Sequence, residues 1–366
     1  MTVTAPESEA GQRVLHGTDP VDLTAALVAV PSVSGDEKAL ADLVELRLRT
    51  RAPHLAVHRI GGNVVARTAS GGPGTRTVFA GHLDTVPRFP GAHAPRADRD
   101  TVAGLGAVDM KGGLAVMLLL AEQAAGAGGG STFVFYDKEE TGSRTSGMNT
   151  LFARHRELVT GGFAVLLEPT GGVIEAGCQG NLVVELVYRG SRAHTARPWR
   201  GVNAVHRAAA TLARLAAFTP EPVVLDGLTY RQALCVVGVH GGVQGNVVPD
   251  SCTVEVNYRH APTLDSAAAL DVVAALAPDA DETTVLLSSP AAPPDLGHPL
   301  AVRLREATAA APKAKLGWTD VGRFAEHAIP AVNLGPGESE LAHTPNESVT
   351  RSELEKVHAA LRLLVD

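Results

Sequence analysis

Seven side chains of this sequence could together do hydrolytic chemistry at metal: His82, Asp84, Asp109, Glu139, Glu140, Glu168 and His343. Each follows an apolar run or stands in a loop punctuated by Gly or Pro. His82 and Asp84 are two residues apart, so in extended chain both side chains point to one face. A histidine beside a carboxylate is a way to present a metal ligand with its orienting partner. Imidazole and carboxylate without thiolate suit zinc, cobalt or manganese. Two histidines and four or five carboxylates are too many for one tetrahedral ion. They suit two ions about 3.5–4 Å apart that share a bridging carboxylate. A carboxylate left free beside such a pair can take a proton from water and hand it to a leaving amine. Taken singly, the same residues have plainer explanations. Glu139-Glu140 could be a solvated loop, Asp109 a turn residue among glycines, and His343 part of an exposed loop.

The elements that must position these groups read as an open α/β sheet. Residues 77–80 form a short buried strand just before His82, and 132–136 a second, followed by Asp137-Lys-Glu-Glu-Thr-Gly142. Residues 163–167 form a third, ending in Glu168-Pro169. Continuous apolar strands with polar clusters after their ends imply a mixed sheet flanked by helices, its site at the carboxyl edge. Helices are expected over about 19–30, 34–50, 114–125, 299–310 and 351–365, and strands near 55–59, 63–67, 98–102 and 331–334. Residues 1–18 read as a loose tail and 126–130 as a glycine link, and the polar loop 142–146 has no assigned role.

Near Gly177 the pattern changes. A strand near 182–188 alternates as if half-exposed, and further strands near 233–240, 251–259 and 284–287 are interspersed with helices near 201–217 and 264–276. Strand–helix–strand–strand–helix–strand is the ferredoxin-like α+β arrangement. The expected division is residues 1–178 and 289–366 for a catalytic domain and 179–288 for an inserted domain, with the proline-rich stretch 289–294 as the return link.

Composition narrows the function classes. The 366 residues carry a formal net charge of -7 and no Lys/Arg-rich run, which argues against nucleic acid or an anionic membrane as partner. The first ten residues lack the basic and apolar regions of a signal peptide, and the apolar run 114–121 is too short to span a bilayer. Cys178, Cys235 and Cys252 form no Cys-x-x-Cys pair. A soluble, cytoplasmic protein with reduced thiols is expected. There is no Gly-x-Ser-x-Gly elbow, no His-Glu-x-x-His and no P-loop, and Gly104-Leu-Gly106 lacks the third glycine of a dinucleotide loop.

Five motifs in order carry a resemblance. Gly81-His-Leu-Asp-Thr-Val-Pro87, Gly104-Leu-Gly-Ala-Val-Asp-Met-Lys-Gly-Gly113, Asp137-Lys-Glu-Glu-Thr-Gly142, Leu167-Glu-Pro169 and His343-Thr-Pro345 resemble the motifs of the co-catalytic zinc amidohydrolases. That family holds acetylornithine deacetylase, succinyl-diaminopimelate desuccinylase, aminoacylase and glutamate-releasing carboxypeptidases. The resemblance implies two zinc ions, with cobalt or manganese as substitutes. His82 and Glu168 would hold one ion, Glu140 and His343 the other, and Asp109 would bridge both. Asp84 would orient His82 and Glu139 would be the general base and acid. The Asp109-Met110 peptide would be cis.

In the inserted domain, Gly190-Ser-Arg-Ala-His-Thr-Ala-Arg-Pro198 resembles the family's lid and dimerisation motif. By that resemblance the protein is a homodimer through this domain, and His194 reaches the partner's site to stabilise the oxyanion. Asn246 and Arg259, with Thr319 and Gly335, would bind substrate, Arg259 as a fork for its carboxylate. The context Glu175-Ala-Gly-Cys-Gln-Gly180, Ala193-His-Thr-Ala-Arg-Pro198 and Gly317-Trp-Thr-Asp320 resembles the succinyl-diaminopimelate desuccinylases of actinobacterial type. The implied reaction is hydrolysis of an N-acyl bond on a small acidic amino-acid-like substrate. N-acetyl-amino-acid deacetylation, aminoacylase or dipeptidase chemistry, and a deacylase of secondary metabolism stay open, as does a metal-free binding protein on the same scaffold.

Overall fold

A computed structural model describes residues 5–88, 90–91, 95–124, 129–142 and 145–365. The glycine link at 126–130 and the polar loop at 142–146 lie partly outside these residues. The chain divides into two compact units: residues 1–176, 295–313 and 323–366, and residues 177–294 and 314–322. The second therefore takes a stretch around Thr319 that the linear reading leaves with the first.

The first unit is built on a mixed sheet. Seven of the sheet's eight strands run, in spatial order, Ala56–Ile60, Asn63–Arg67, Ser131–Tyr136, Thr77–His82, Phe163–Leu166, Ala331–Asn333 and Glu175–Ala176. The four from Ser131–Tyr136 to Ala331–Asn333 are parallel, and the flanking pairs are antiparallel. Every residue of Thr77–His82 and Ser131–Tyr136 is buried. This accounts for their unbroken apolar character, because a strand covered on both faces has no polar side to alternate with. Helix Gly112–Gln123 is buried over its first ten residues, which accounts for its lack of a polar stripe. Asp19 caps helix Pro20–Ala29 through the amides of Val21 and Asp22.

One stretch read as loose is ordered. Ser8 caps a helix, Glu9–His16, whose Val14 and Leu15 are buried. The Val14 carbonyl accepts a 2.5 Å hydrogen bond from the fully buried Arg47, which also pairs with Glu122 at 2.6 Å. Two large apolar side chains in eight residues are too few to reveal a helix by period. The partner that holds it lies 33 residues away.

The second unit carries a four-stranded antiparallel sheet in the order Ala233–Gly241, Ser251–His260, Gly180–Arg189, Glu282–Ser289. With helices Ala204–Ala217 and Ser266–Leu276 this is the ferredoxin-like order. Leu182, Val184, Leu186 and Tyr188 alternate with Val254, Val256 and Tyr258 in its core. The sequence reading missed a small hairpin, Val223–Leu225 with Leu228–Tyr230.

Candidate metal centre and active site

Three adjacent parallel strands deliver the site. Ser131–Tyr136 and Thr77–His82 pair in register up to Tyr136 and His82, and Thr77–His82 pairs with Phe163–Leu166 up to Ala80 and Leu166. Two residues further along these last two strands come His82 and Glu168. The acidic turn Lys138-Glu139-Glu140 follows Ser131–Tyr136. All three groups thus leave the sheet at its carboxyl edge, where parallel α/β sheets place their ligands.

Asp109 arrives on the loop between strand Thr101–Ala103 and helix Gly112–Gln123, and its peptide bond to Met110 is cis, as the resemblance implies. His343 arrives just before strand Ser348–Thr350, which pairs antiparallel with Thr101–Ala103. This small sheet carries both loops to one place. His343 has a left-handed backbone, φ 61°.

His82, Asp109, Glu140 and His343 converge. His82 Nε2 lies 2.9 Å from Asp109 Oδ1, and His343 Nε2 lies 3.4 Å from Asp109 Oδ2 and 2.7 Å from Glu140 Oε1. Ligand atoms of His82, Asp109 and Glu140 all fall within 4.8 Å of one another. Two imidazoles reaching the two oxygens of one carboxylate is a donor set that fits two borderline ions with Asp109 between them. Glu168 is buried.

The electrostatics are those of a site built for cations. Burial pushes the Asp109 carboxyl up, but hydrogen bonds from His343 and His82 outweigh it and hold it well below the usual range. Burial lowers the His82 imidazole, yet Asp109 and Asp84 together raise it well above its ordinary value. Hydrogen bonds to Asp109 and then Glu140 raise His343 to about 10.

Asp84 does more than face His82. His82 Nδ1 lies 3.0 Å from the Asp84 main-chain carbonyl and 3.5 Å from its carboxylate. That carboxylate accepts the amide N–H groups of Glu139 (3.0 Å, Oδ1) and Glu140 (3.1 Å, Oδ2), and the Ser34 hydroxyl at 2.7 Å. One residue earlier, Glu37 accepts from Lys138 N, and before that Asn63 accepts from Asp137 N. Four successive amides of the acidic turn, 137 to 140, are therefore each held by a buried side chain. Sequence reading found Asp84 but missed Glu37 and Asn63, whose partners are backbone amides with no side-chain signature.

Of the other sequence candidates, Gly335 packs in the first unit. A Cβ there would come within 2.4 Å of the Leu167 and Glu168 carbonyl oxygens, so only glycine fits under the Glu168 turn. The rest lie in the second unit. His194 and Asn246 stand side by side and exposed, the Thr195 amide donating to the Asn246 carbonyl at 3.1 Å. Arg259 is half-buried opposite Asn181, and burial lowers its pKa. Thr319 is buried, its carbonyl facing Cys178 Sγ at 3.8 Å.

Residues 78–366 of the chain match the model of peptidase family M20/M25/M40. DapE of Mycobacterium tuberculosis is 45% identical over 335 residues, 90% of this chain and 93% of that protein. The succinyl-diaminopimelate desuccinylase of Corynebacterium glutamicum is 39% identical over 353 residues, 94% of this chain and 95% of that protein. Among solved structures, a tripeptidase from Staphylococcus aureus superposes with a TM-score of 0.76 at 21% identity, covering 96% of this chain and 98% of that one.

Proposed function

The chain belongs to the peptidase family M20/M25/M40, and from that premise we propose that it is a metal-dependent amidohydrolase that desuccinylates N-succinyl-LL-2,6-diaminopimelate. The observation that carries the substrate is the 39–45% identity to the two DapE-type relatives over 90% or more of the chain. The site's donor set supports the metal dependence.

In this reading His82 and Glu168 would hold one zinc, Glu140 and His343 the other, and Asp109 would serve both, with cobalt or manganese as substitutes. When bound, the ions supply Lewis acidity to the amide carbonyl and lower the pKa of water at the site. Glu139 takes the proton of the attacking water and delivers it to the leaving amine, so that amide and water give succinate and the free amino group. Asp84, by gripping the Glu139 and Glu140 amides, keeps the base and a ligand in fixed relation. His194 donates to the oxyanion. Asn246, Arg259, Thr319 and Gly335 bind the substrate, Arg259 gripping a carboxylate.

A homodimer through the second unit belongs to the same proposal. Strand Ala233–Gly241 is the edge of its sheet and exposes Val237 and Val239, a surface suited to pairing with a second copy. A cytoplasmic setting is supported by three unpaired cysteines. No helix among the described residues is long and apolar enough to cross a membrane.

The test is a substrate panel on zinc-loaded protein, following release of free amine. The highest kcat/KM is expected on N-succinyl-LL-2,6-diaminopimelate. A higher value on an N-acetyl amino acid or a dipeptide would move the assignment to deacetylase or dipeptidase. Protein that takes up no zinc and turns over nothing would be a binding protein, and the mechanism would fall.

A further inference from the structure

Glu347 is a buried acid, 1% exposed, to which the sequence reading assigned no role. It sits between the loop that ends in Asp109 and the loop that carries His343. Its Oε2 accepts the amides of Gly106 (2.8 Å) and Val108 (3.3 Å), 241 and 239 residues away in sequence. Its Oε1 accepts the His343 amide at 3.2 Å. Its own carbonyl accepts the Gly104 amide at 3.0 Å. One residue thus binds both loops, three times through its carboxylate and once through its main chain.

We infer that Glu347 is a positioning residue for the metal pair, its two carboxylate oxygens fixing the spacing between Asp109 and His343. The chemistry requires an acid. Three N–H donors converge on the group, and only a carboxylate offers acceptors at both ends without a hydrogen of its own. A glutamine keeps one acceptor and turns an amino group toward the other set of amides, so one loop is released. An aspartate keeps the charge but is one methylene shorter and cannot span both loops. The loop positions matter because Asp109 Oδ2 and His343 Nε2 are only 3.4 Å apart, so small shifts at either loop change the relation between two ligands. This inference rests on the two-metal reading proposed above.

The experiment uses full-length metal-free protein titrated calorimetrically with zinc, and with cobalt followed by its visible absorption. Wild type is expected to bind two equivalents. In Glu347→Gln, and likewise in Glu347→Asp, at least one equivalent should weaken about 10–100-fold, and both where the loop released is that of Asp109, which serves both ions. Turnover at limiting zinc should fall, and excess zinc should restore it with an unchanged KM for substrate. A merely structural role predicts a lowered melting temperature without loss of zinc affinity or rescue by zinc. Two equivalents bound by both variants with wild-type affinity would overturn the inference and leave the two-metal reading standing. Wild type that binds fewer than two equivalents would overturn the two-metal reading itself, and Glu347's role with it.

Discussion

Replacing Asp84 by asparagine tests whether the acidic turn is held as described. The substitution is nearly isosteric but removes one acceptor. With the side-chain oxygen placed as Oδ1, the Glu139 amide keeps its partner at 3.0 Å and the new amino group faces the Glu140 amide, previously bonded at 3.1 Å. Rotated the other way, Glu139 is released instead. Ser34 can adapt by accepting where it now donates. One amide is therefore left unpaired in a part-buried spot against the buried residue 84, costing about 1–3 kcal/mol. For a unit of this size that is a fall of about 2–12 °C in the apo melting temperature. If the same energy is lost in the transition state, kcat falls about 5–150-fold. His82 should keep its orientation, because its Nδ1 bonds the main-chain carbonyl of residue 84, which the substitution spares. Burial pushes the Asp84 carboxyl up, but His82 and Ser34 outweigh it and hold it below its usual range. A depressed folded pKa stabilises the fold above about pH 4, and the benefit is lost as pH falls through the folded value. The difference between wild type and Asp84→Asn should accordingly be full at neutral pH and shrink in acid. Thermal melts across pH, zinc calorimetry and steady-state kinetics read these effects. An unchanged melting temperature combined with selective loss of the metal held by His82 would refute the reasoning and return Asp84 to a role in orienting His82 alone.

Three further outcomes are expected. Glu139→Gln should lower kcat by about 10²–10⁴ while zinc stoichiometry and KM stay unchanged, measured by kinetics beside metal analysis. In the metal-free protein His343, raised to about 10 by Asp109 and Glu140, contributes stability that is full below about pH 6.5 and lost as pH rises through about 10. Apo melting temperature should drop over that window, and zinc affinity should rise with pH as His343 sheds its proton, which calorimetry in buffers of different ionisation enthalpy would detect. Arg47→Ala should cost about 1–3 kcal/mol, because it leaves the Val14 carbonyl without its partner and Glu122 with Arg51 alone; urea unfolding would measure it.

What could be read in the sequence and what could not differ by a physical criterion. Ligand-type residues after apolar strands announce themselves, because the strand's apolar run and the charged side chain are both local. His82, Glu139-Glu140 and Glu168 were legible for this reason, and so were the parallel strands that carry them. The groups that hold the loops were not. Glu37, Asn63 and Glu347 act on backbone amides, which every residue but proline possesses, so no motif marks the far end of the interaction. Asp84 was legible as a neighbour of His82, but its grip on the acidic turn depends on a second strand's register. The helix Glu9–His16 and the association of residues 314–322 with the second unit likewise rest on contacts distant in sequence.

All seven residues of the candidate metal centre, with Glu37, Asn63 and Glu347 that secure its loops, belong to the first unit, whereas His194, Asn246, Arg259 and Thr319 belong to the second. On the proposed roles, reactivity and most of the selectivity are inherited on separate parts of the chain, Gly335 being the one proposed substrate-binding residue in the first unit. Substitutions that alter which acyl group is accepted can accumulate in the second unit without disturbing a ligand or its supports. Divergence in this architecture should accordingly be modular, the cleaving apparatus changing slowly and the reading apparatus freely. A chimera that keeps the first unit and takes its second from a relative of different preference would carry the donor's substrate range on the recipient's metal chemistry.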